Sequence, residues 1–162
     1  MRIIGIDPGL RILGIGIVDY DGNVFKPIYS GVIKTKNSDP LADKLGHLYQ
    51  GINDCIKEFQ PEVLSIEEAF YGENAKTALL MGHVRGVAMV AGRHANLEVY
   101  EYAARKVKSS VTGNGAAQKE QVLYMIKHLL KLKVDPVTLD ASDALAIAIC
   151  HGLNYKTAKL GT

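Results

Sequence analysis

The feature that most constrains the fold is the stretch RIIGIDPGLRILGIG at residues 2–16. Its isoleucine-rich run, residues 3–6, is typical of a strand buried on both faces. The run ends at Asp7, and Pro8-Gly9 then turns the chain. Because ligands collect at the carboxyl ends of strands in open α/β sheets, Asp7 is a candidate site residue. An aspartate that merely opens a turn is the alternative, and this stretch alone leaves both readings open.

The composition is that of one folded domain with a hydrophobic core, since 48% of the 162 residues are hydrophobic and 22% are charged. No signal-peptide pattern opens the sequence, and the longest apolar run, residues 144–150, is too short to cross a membrane. We therefore expect a single domain over residues 1–153, a short, basic, flexible tail over residues 154–162, and a cytoplasmic protein without membrane contact. Cys55 and Cys150 lack metal-ligand spacing, which excludes a disulfide framework or a zinc ribbon.

The net charge is only +2, but the basic residues are unevenly distributed. Residues 103–133 contain seven Lys or Arg side chains and one acid, Glu120, which leaves 12 basic and 16 acidic residues elsewhere. Such polarity is typical of a face that binds a polyanion, although a solvated lysine-rich helix surface gives the same pattern.

The order of elements predicts an α/β fold that begins with a hairpin. Asp21-Gly22-Asn23 is a tight-turn signal between the second and third strands, which should therefore pair antiparallel. The first helix should start at Ser38-Asp39-Pro40 and end at Gln60-Pro61, and Asn114 is a plausible cap for a later one. We predict strands over residues 13–20, 24–35, 62–68 and 97–102, and helices over residues 38–59, 75–95, 103–111, 118–132 and 138–151.

The strand at residues 62–68 delivers a second carboxylate. A right-handed crossover through the first helix can place this strand parallel to the first strand and beside it. Glu67 and Asp7 would then meet at one edge of the sheet. Period-two alternation puts Val63, Ser65 and Glu67 on one face, so only one of Glu67 and Glu68 can face Asp7.

Two further acids open the last helix. Asp140 and Asp143 are three residues apart, so they share a helix face. A capping box, with Asp140 as the cap, is one explanation. The other is a site, because the alanines of this helix let it lie close to the sheet edge and the positive end of the helix dipole tolerates acids there.

Together, Asp7, Glu67, Asp140 and Asp143 come from two strand ends and one helix start. Four carboxylates in one pocket cannot all stay ionised without a cation, and hard oxygen ligands select Mg²⁺ or Mn²⁺. Two such ions about 4 Å apart can activate water for in-line attack on a phosphodiester.

Four strings carry a family resemblance: GIDPGLRILGIG, SIEEAFYGENAKTALLMGHVRG, EYAARKVKSSVTGNGAAQKEQV and LDASDALAIAICH. In this order and spacing, over residues 2–151, they closely resemble RuvC, the bacterial Holliday-junction (crossover junction) endodeoxyribonucleases. The resemblance implies a ribonuclease H-like α/β fold with a five-stranded mixed sheet flanked by helices. It also implies a homodimer that nicks a four-way DNA junction symmetrically, needs Mg²⁺ (for which Mn²⁺ should substitute, with two ions per site), and works with the RuvA-RuvB branch-migration complex.

Carried over by resemblance, the catalytic and metal-binding acids are Asp7, Glu67, Asp140 and Asp143. The DNA-binding residues are Phe70, a loop aromatic that stacks on bases at the crossover, and Lys108 and Lys119 near the scissile phosphate. Family members have Gln where this chain has Glu68, which is therefore not assigned to the site. Dimerisation is implied for the Gly-rich helix after Asn74.

Three other functions are compatible with parts of the pattern. GIDPG resembles the first phosphate loop of actin- and sugar-kinase-like ATPases, but no second loop of that kind follows. A non-catalytic junction-binding module would use the acids only as caps and turns. A nuclease of the same fold acting on RNA would differ mainly in its substrate.

Overall fold

The first strand forms the centre of the sheet around which the chain folds. The computed structural model describes residues 1–68, 74–133 and 138–158, with only the backbone of residues 156–158. Its strands are β1 (Arg2–Asp7), β2 (Ile12–Tyr20), β3 (Phe25–Lys34), β4 (Val63–Glu67) and β5 (Glu98–Tyr102). Its helices are α1 (Leu41–Phe59), α2 (Ala75–His94), α3 (Ala104–Thr112), α4 (Lys119–Leu129) and α5 (Leu139–Ala158).

The strands form one mixed sheet in the order β3-β2-β1-β4-β5. β2 pairs antiparallel with β3, as the tight-turn signal predicts, and it also pairs antiparallel with β1. β4 lies parallel to β1 on its other side, and β5 lies parallel to β4. The predicted crossover and the five-stranded mixed sheet flanked by helices are confirmed.

Alternation along the central strands divides the core into two layers. Ile4 and Ile6 of β1 pack with α1 and α2 on one face of the sheet. Ile3 and Val63 lie on the other face, which α3, α4 and α5 cover. Burial of the central strands on both faces explains their apolar sequence. None of the described helices combines the length and apolarity that a membrane span requires.

Two predicted helix starts are wrong in detail. α1 begins one residue after Pro40, which is itself the N-cap residue and whose side chain has no hydrogen-bond acceptor, so no side chain caps the helix. The backbone N–H of Asp39 instead donates to the carbonyl of Lys36 in a turn. Asn114 does not cap α4, since its side chain accepts from the backbone N–H of Ala116 within the loop. Gln118 caps that helix.

The last helix extends beyond its predicted end at residue 151. α5 continues to Ala158, and Asn154 donates hydrogen bonds to Ser110 on α3 (2.9 Å) and to the carbonyl of Cys150 (2.8 Å). These bonds hold the first residue of the predicted tail against α3. Residues 159–162 lie outside the described ranges.

Candidate active site

Glycines on β1 and β2 let α5 lie directly on the sheet. A Cβ atom on Gly5 would come within 2.7 Å of the backbone nitrogen of Ala148, and one on Gly14 within 2.6 Å of the carbonyl carbon of Asp140. Real Cβ atoms essentially never approach other atoms closer than 3.0 Å. The glycines of the first two strands therefore allow the start of α5 to approach the end of β1.

Asp7 and Glu67 both face α5. Ile6 pairs in register with Ile66, so the next residues of β1 and β4 are Asp7 and Glu67. Ser65, on the same face as Glu67, contacts the carbonyl of Ile147 on α5. The predicted meeting of the two strand-end carboxylates on one face is therefore realised.

Thr138, rather than Asp140, caps α5. The Thr138 hydroxyl accepts a hydrogen bond of 3.2 Å from the backbone N–H of Ala141. Asp140 lies inside the first turn, and Asp143 lies one turn further along the helix. Neither carboxylate is needed as the cap. Asp143 lines the cleft beside Asp7 and Glu67, whereas Asp140 does not line it and acts on Asp7 through its charge.

The four carboxylates interact strongly. Burial, followed in order of importance by the charges of Asp143, Glu67 and Asp140, raises the pKa of Asp7 to about 8. Burial also raises the pKa of Glu67, followed by the charge of Asp143. The charges of three separate elements therefore meet at this end of the sheet.

Two lysines of the basic segment face these acids. Lys119, the first residue of α4, donates a hydrogen bond of 3.2 Å to Asp143, whose charge raises the pKa of the lysine. A reciprocal capping box between Gln118 and Gln121 fixes the start of α4. The charge of Lys108 on α3 acts against the raised pKa of Glu67. A cleft of about 240 Å³ is lined by Asp7, Glu67, Ala104, Val107, Lys108, Lys119, Val122, Asp143 and Ala146.

The carboxylate groups at this end of the sheet are chemically suited to bind a divalent cation. Carboxylate oxygens are the ligands that Mg²⁺ and Mn²⁺ prefer, and mutual repulsion contributes to the raised pKa of Asp7. Within the described ranges, no three His, Cys, Asp or Glu side chains stand close enough to hold an ion as placed. The ion pair with Lys119 engages one of these carboxylates, Asp143.

Asp140 and Glu68 are not among the residues that line this cleft. Phe70 falls within residues 69–73, which are outside the described residues. The Glu68 side chain is exposed, and its backbone N–H bonds to the carbonyl of Tyr102 on β5.

Sequence reasoning missed Arg85, whose side chain on α2 donates to the backbone carbonyl of Glu67. Its only signal in the sequence is a charged residue within a helix of small and apolar ones.

The whole chain resembles proteins of known activity. The profile described as "Crossover junction endodeoxyribonuclease RuvC" matches residues 3–151. The chain is 46% identical over 151 residues to the RuvC of Desulforamulus reducens, covering 93% of each chain. It is 44% identical to that of Ruminiclostridium cellulolyticum, covering 99% of this chain and 96% of the relative.

Solved structures agree with these sequence matches. Thermus thermophilus RuvC in complex with a Holliday junction substrate superposes with a TM-score of 0.92 at 32% identity, covering 98% of this chain and 96% of the other. The architecture is therefore the ribonuclease H-like fold that the sequence predicts. With a matching family profile over nearly the whole length and relatives at this identity, the chain belongs to the RuvC family of crossover junction endodeoxyribonucleases.

Proposed function

We propose that this protein resolves four-way DNA junctions by cutting two strands with symmetric, paired nicks during recombination and repair. The observation that carries the proposal is the convergence of carboxylates from β1, β4 and α5 beside Lys108 and Lys119. Family membership supplies the class of substrate, and this cleft supplies the chemistry.

The four acids, Asp7, Glu67, Asp140 and Asp143, would hold Mg²⁺, two ions per site, with Mn²⁺ as a substitute. When bound, the metal would activate water and stabilise the leaving oxygen of the phosphodiester. Burial and mutual repulsion raise the pKa values of Asp7 and Glu67, so these side chains favour a cationic partner over remaining ionised alone. The acids thus give the cleft its affinity for metal.

Lys108 and Lys119 would bind and orient the scissile phosphate. Lys119 is 63% exposed although it pairs with Asp143, so its ammonium group remains accessible to DNA. Arg105 and Lys106 on α3 are exposed, which extends the positive surface away from the cleft. Phe70 would stack against bases at the crossover, as the family resemblance implies.

A homodimer would supply the second nick. A groove of about 940 Å³ runs between α1 and α2, and its lining is largely apolar. Leu79 is 66% exposed and Val90 is 47% exposed, while Gly82 and Gly86 leave open space beside them. Exposed apolar surface of this kind marks an interaction site, and we assign it to a second copy of the chain. Leu79→Glu should give a monomer by light scattering and abolish paired nicking.

The RuvA-RuvB branch-migration complex is the further partner that family membership suggests. Because the proposed substrate is recombining DNA, we place the protein in the cytoplasm.

The proposal is tested by replacing each acid separately. Asp7→Asn, Glu67→Gln, Asp140→Asn and Asp143→Asn should each abolish nicking of a synthetic junction with Mg²⁺. Junction binding should persist, because removing an acid reduces repulsion of phosphate. Glu58→Gln, which changes an exposed carboxylate on α1, is the matched control and should nick normally. Normal nicking by any of the four acid variants would remove that residue from the site.

A further inference from the structure

Arg85 connects helix α2 to the strand end that carries Glu67. It lies in the middle of α2, and only 16% of its side chain is exposed. Its neighbours on the helix are small or apolar, so it is not part of a charged surface. The guanidinium group reaches the carboxyl ends of β4 and β5.

The contacts of Arg85 fix backbone rather than a carboxylate of the cleft. Its Nε–H donates a hydrogen bond of 3.0 Å to the backbone carbonyl of Glu67, the last residue of β4. Its Nη2 forms an ion pair with Glu101 on β5. Because Glu101 is paired in register with Ile66, the guanidinium spans the two strands at their ends.

The peptide groups on both sides of Glu67 are thereby tied to neighbouring elements. The preceding residue is held by the β1 and β5 ladders. The N–H of Glu68 bonds to the carbonyl of Tyr102 at 2.9 Å, in the ladder that continues from β5. The Glu67 carbonyl accepts from Arg85. Because backbone pairing ends at the end of a strand, the hydrogen bond from Arg85 holds in place the backbone that carries the Glu67 carboxylate.

We propose that Arg85 is a positioning residue for the nuclease reaction: through the Glu67 carbonyl it holds the Glu67 side chain at the geometry that the cleft requires. The inference rests on the role proposed above for Glu67. It also links the cleft to α2, the helix that we assign to the dimer interface. The bond to the Glu67 carbonyl is the contact of Arg85 that reaches the backbone carrying the Glu67 carboxylate, which makes it the functional contact.

Two substitutions separate the carbonyl bond from the charge. Arg85→Gln keeps an N–H at the position of Nε and loses the ion pair with Glu101. Arg85→Lys keeps the positive charge but places a methylene group at the position of Nε, so the bond to the Glu67 carbonyl is lost. Arg93→Lys is the matched control on the same helix, because Arg93 donates to the carbonyl of Leu97, away from the cleft.

Single-turnover nicking at saturating junction and Mg²⁺ measures the effect. We expect Arg85→Lys to slow nicking roughly 10–100-fold, the usual loss when a group that orients a metal ligand is removed. Its half-saturating Mg²⁺ concentration should rise, whereas its junction affinity in chelator and its dimeric mass should stay unchanged. Arg85→Gln should remain within a few-fold of the wild type, and Arg93→Lys should match the wild type.

The reverse order, with Arg85→Lys active and Arg85→Gln impaired, would overturn the proposal in favour of a charge effect. Equal rates for both variants and the wild type would also overturn it, as would a slow rate that follows loss of the dimer or of junction binding. Glu67→Gln, measured in parallel, tests the underlying site. If it nicks normally, the proposed role of Glu67 fails; if it is inactive while Arg85→Lys is normal, only the present inference fails.

Discussion

Gly14→Ala should disrupt the cleft without touching a charged group. The new Cβ would lie 2.6 Å from the carbonyl carbon of Asp140 and 3.2 Å from the Cβ of Asp7, whereas ordinary contacts begin at 3.4 Å. Since the obstacle is helix backbone, the first turn of α5 must retreat by roughly 1 Å, and Asp140 and Asp143 retreat with it. Overpacking of this kind costs about 1–3 kcal/mol of folding free energy. A displacement of about 1 Å in a catalytic group can cost about 100-fold in rate.

The assay pairs single-turnover nicking of a four-way junction with denaturant unfolding of the same protein. Gly152→Ala is the matched control, because its Cβ would lie 2.5 Å from the Phe25 ring in the C-terminal half of α5, away from the acids. We expect both variants to lose stability but only Gly14→Ala to lose about 100-fold in nicking rate. Wild-type nicking by Gly14→Ala would refute the reasoning that the close approach of α5 to β2 sets the geometry of the acids.

Three further outcomes follow from the charges. Lys119→Gln should slow nicking and reduce the salt dependence of junction binding by about one counterion, which a salt titration measures. It should also raise the pKa values of Asp7 and Glu67, because the charge of the lysine lowers both, and pH–rate profiles measure this shift. The pKa of Asp7 in the folded protein, about 8, lies above its unfolded value, so the metal-free protein should lose stability as the pH rises from about 4 to 8. In urea unfolding, Asp7→Asn should remove this pH dependence and raise the free energy of unfolding at pH 8 by roughly 2–5 kcal/mol. Burial lowers the pKa of His151 to about 4, so the neutral imidazole stabilises the fold above pH 6.5 and this stability is lost as the pH falls towards 4. Between pH 7 and 4.5, His151→Gln should lose about 2–3 kcal/mol less of its unfolding free energy than the wild type does.

The sequence predicts the placement of the strand-end acids well. Short β-branched runs and the crossover rule bring the ends of the first and fourth strands to one edge of the sheet. Period-two alternation leaves open which of Glu67 and Glu68 faces Asp7, and the family resemblance makes that choice. The alanines of α5 indicate that the helix packs closely on the sheet. The structure shows that Gly5 and Gly14 on the strands are also needed, because a Cβ atom at either position would clash with α5. Locally determined features are therefore recovered from the sequence.

Features that depend on long-range side-chain geometry are not recovered. The bond between Lys119 and Asp143 joins residues 24 positions apart, and that between Arg85 and Glu67 joins residues 18 apart, with no pattern that pairs them. The choice between Thr138 and Asp140 as the cap of α5 is equally hidden, because both residue types cap helices well. Past its predicted end at residue 151, α5 contacts α3 through the bond from Asn154 to Ser110, which joins residues 44 positions apart. Tertiary packing, rather than the helix or strand propensity of single residues, determines these contacts and helix ends.

The most direct test of the central claim is nicking of a synthetic four-way DNA junction, with Mg²⁺ and with chelator, beside plain duplex and an RNA–DNA hybrid. The account predicts paired, metal-dependent nicks on the junction alone. Tight junction binding without nicking, or cleavage of the hybrid in place of the junction, would contradict it.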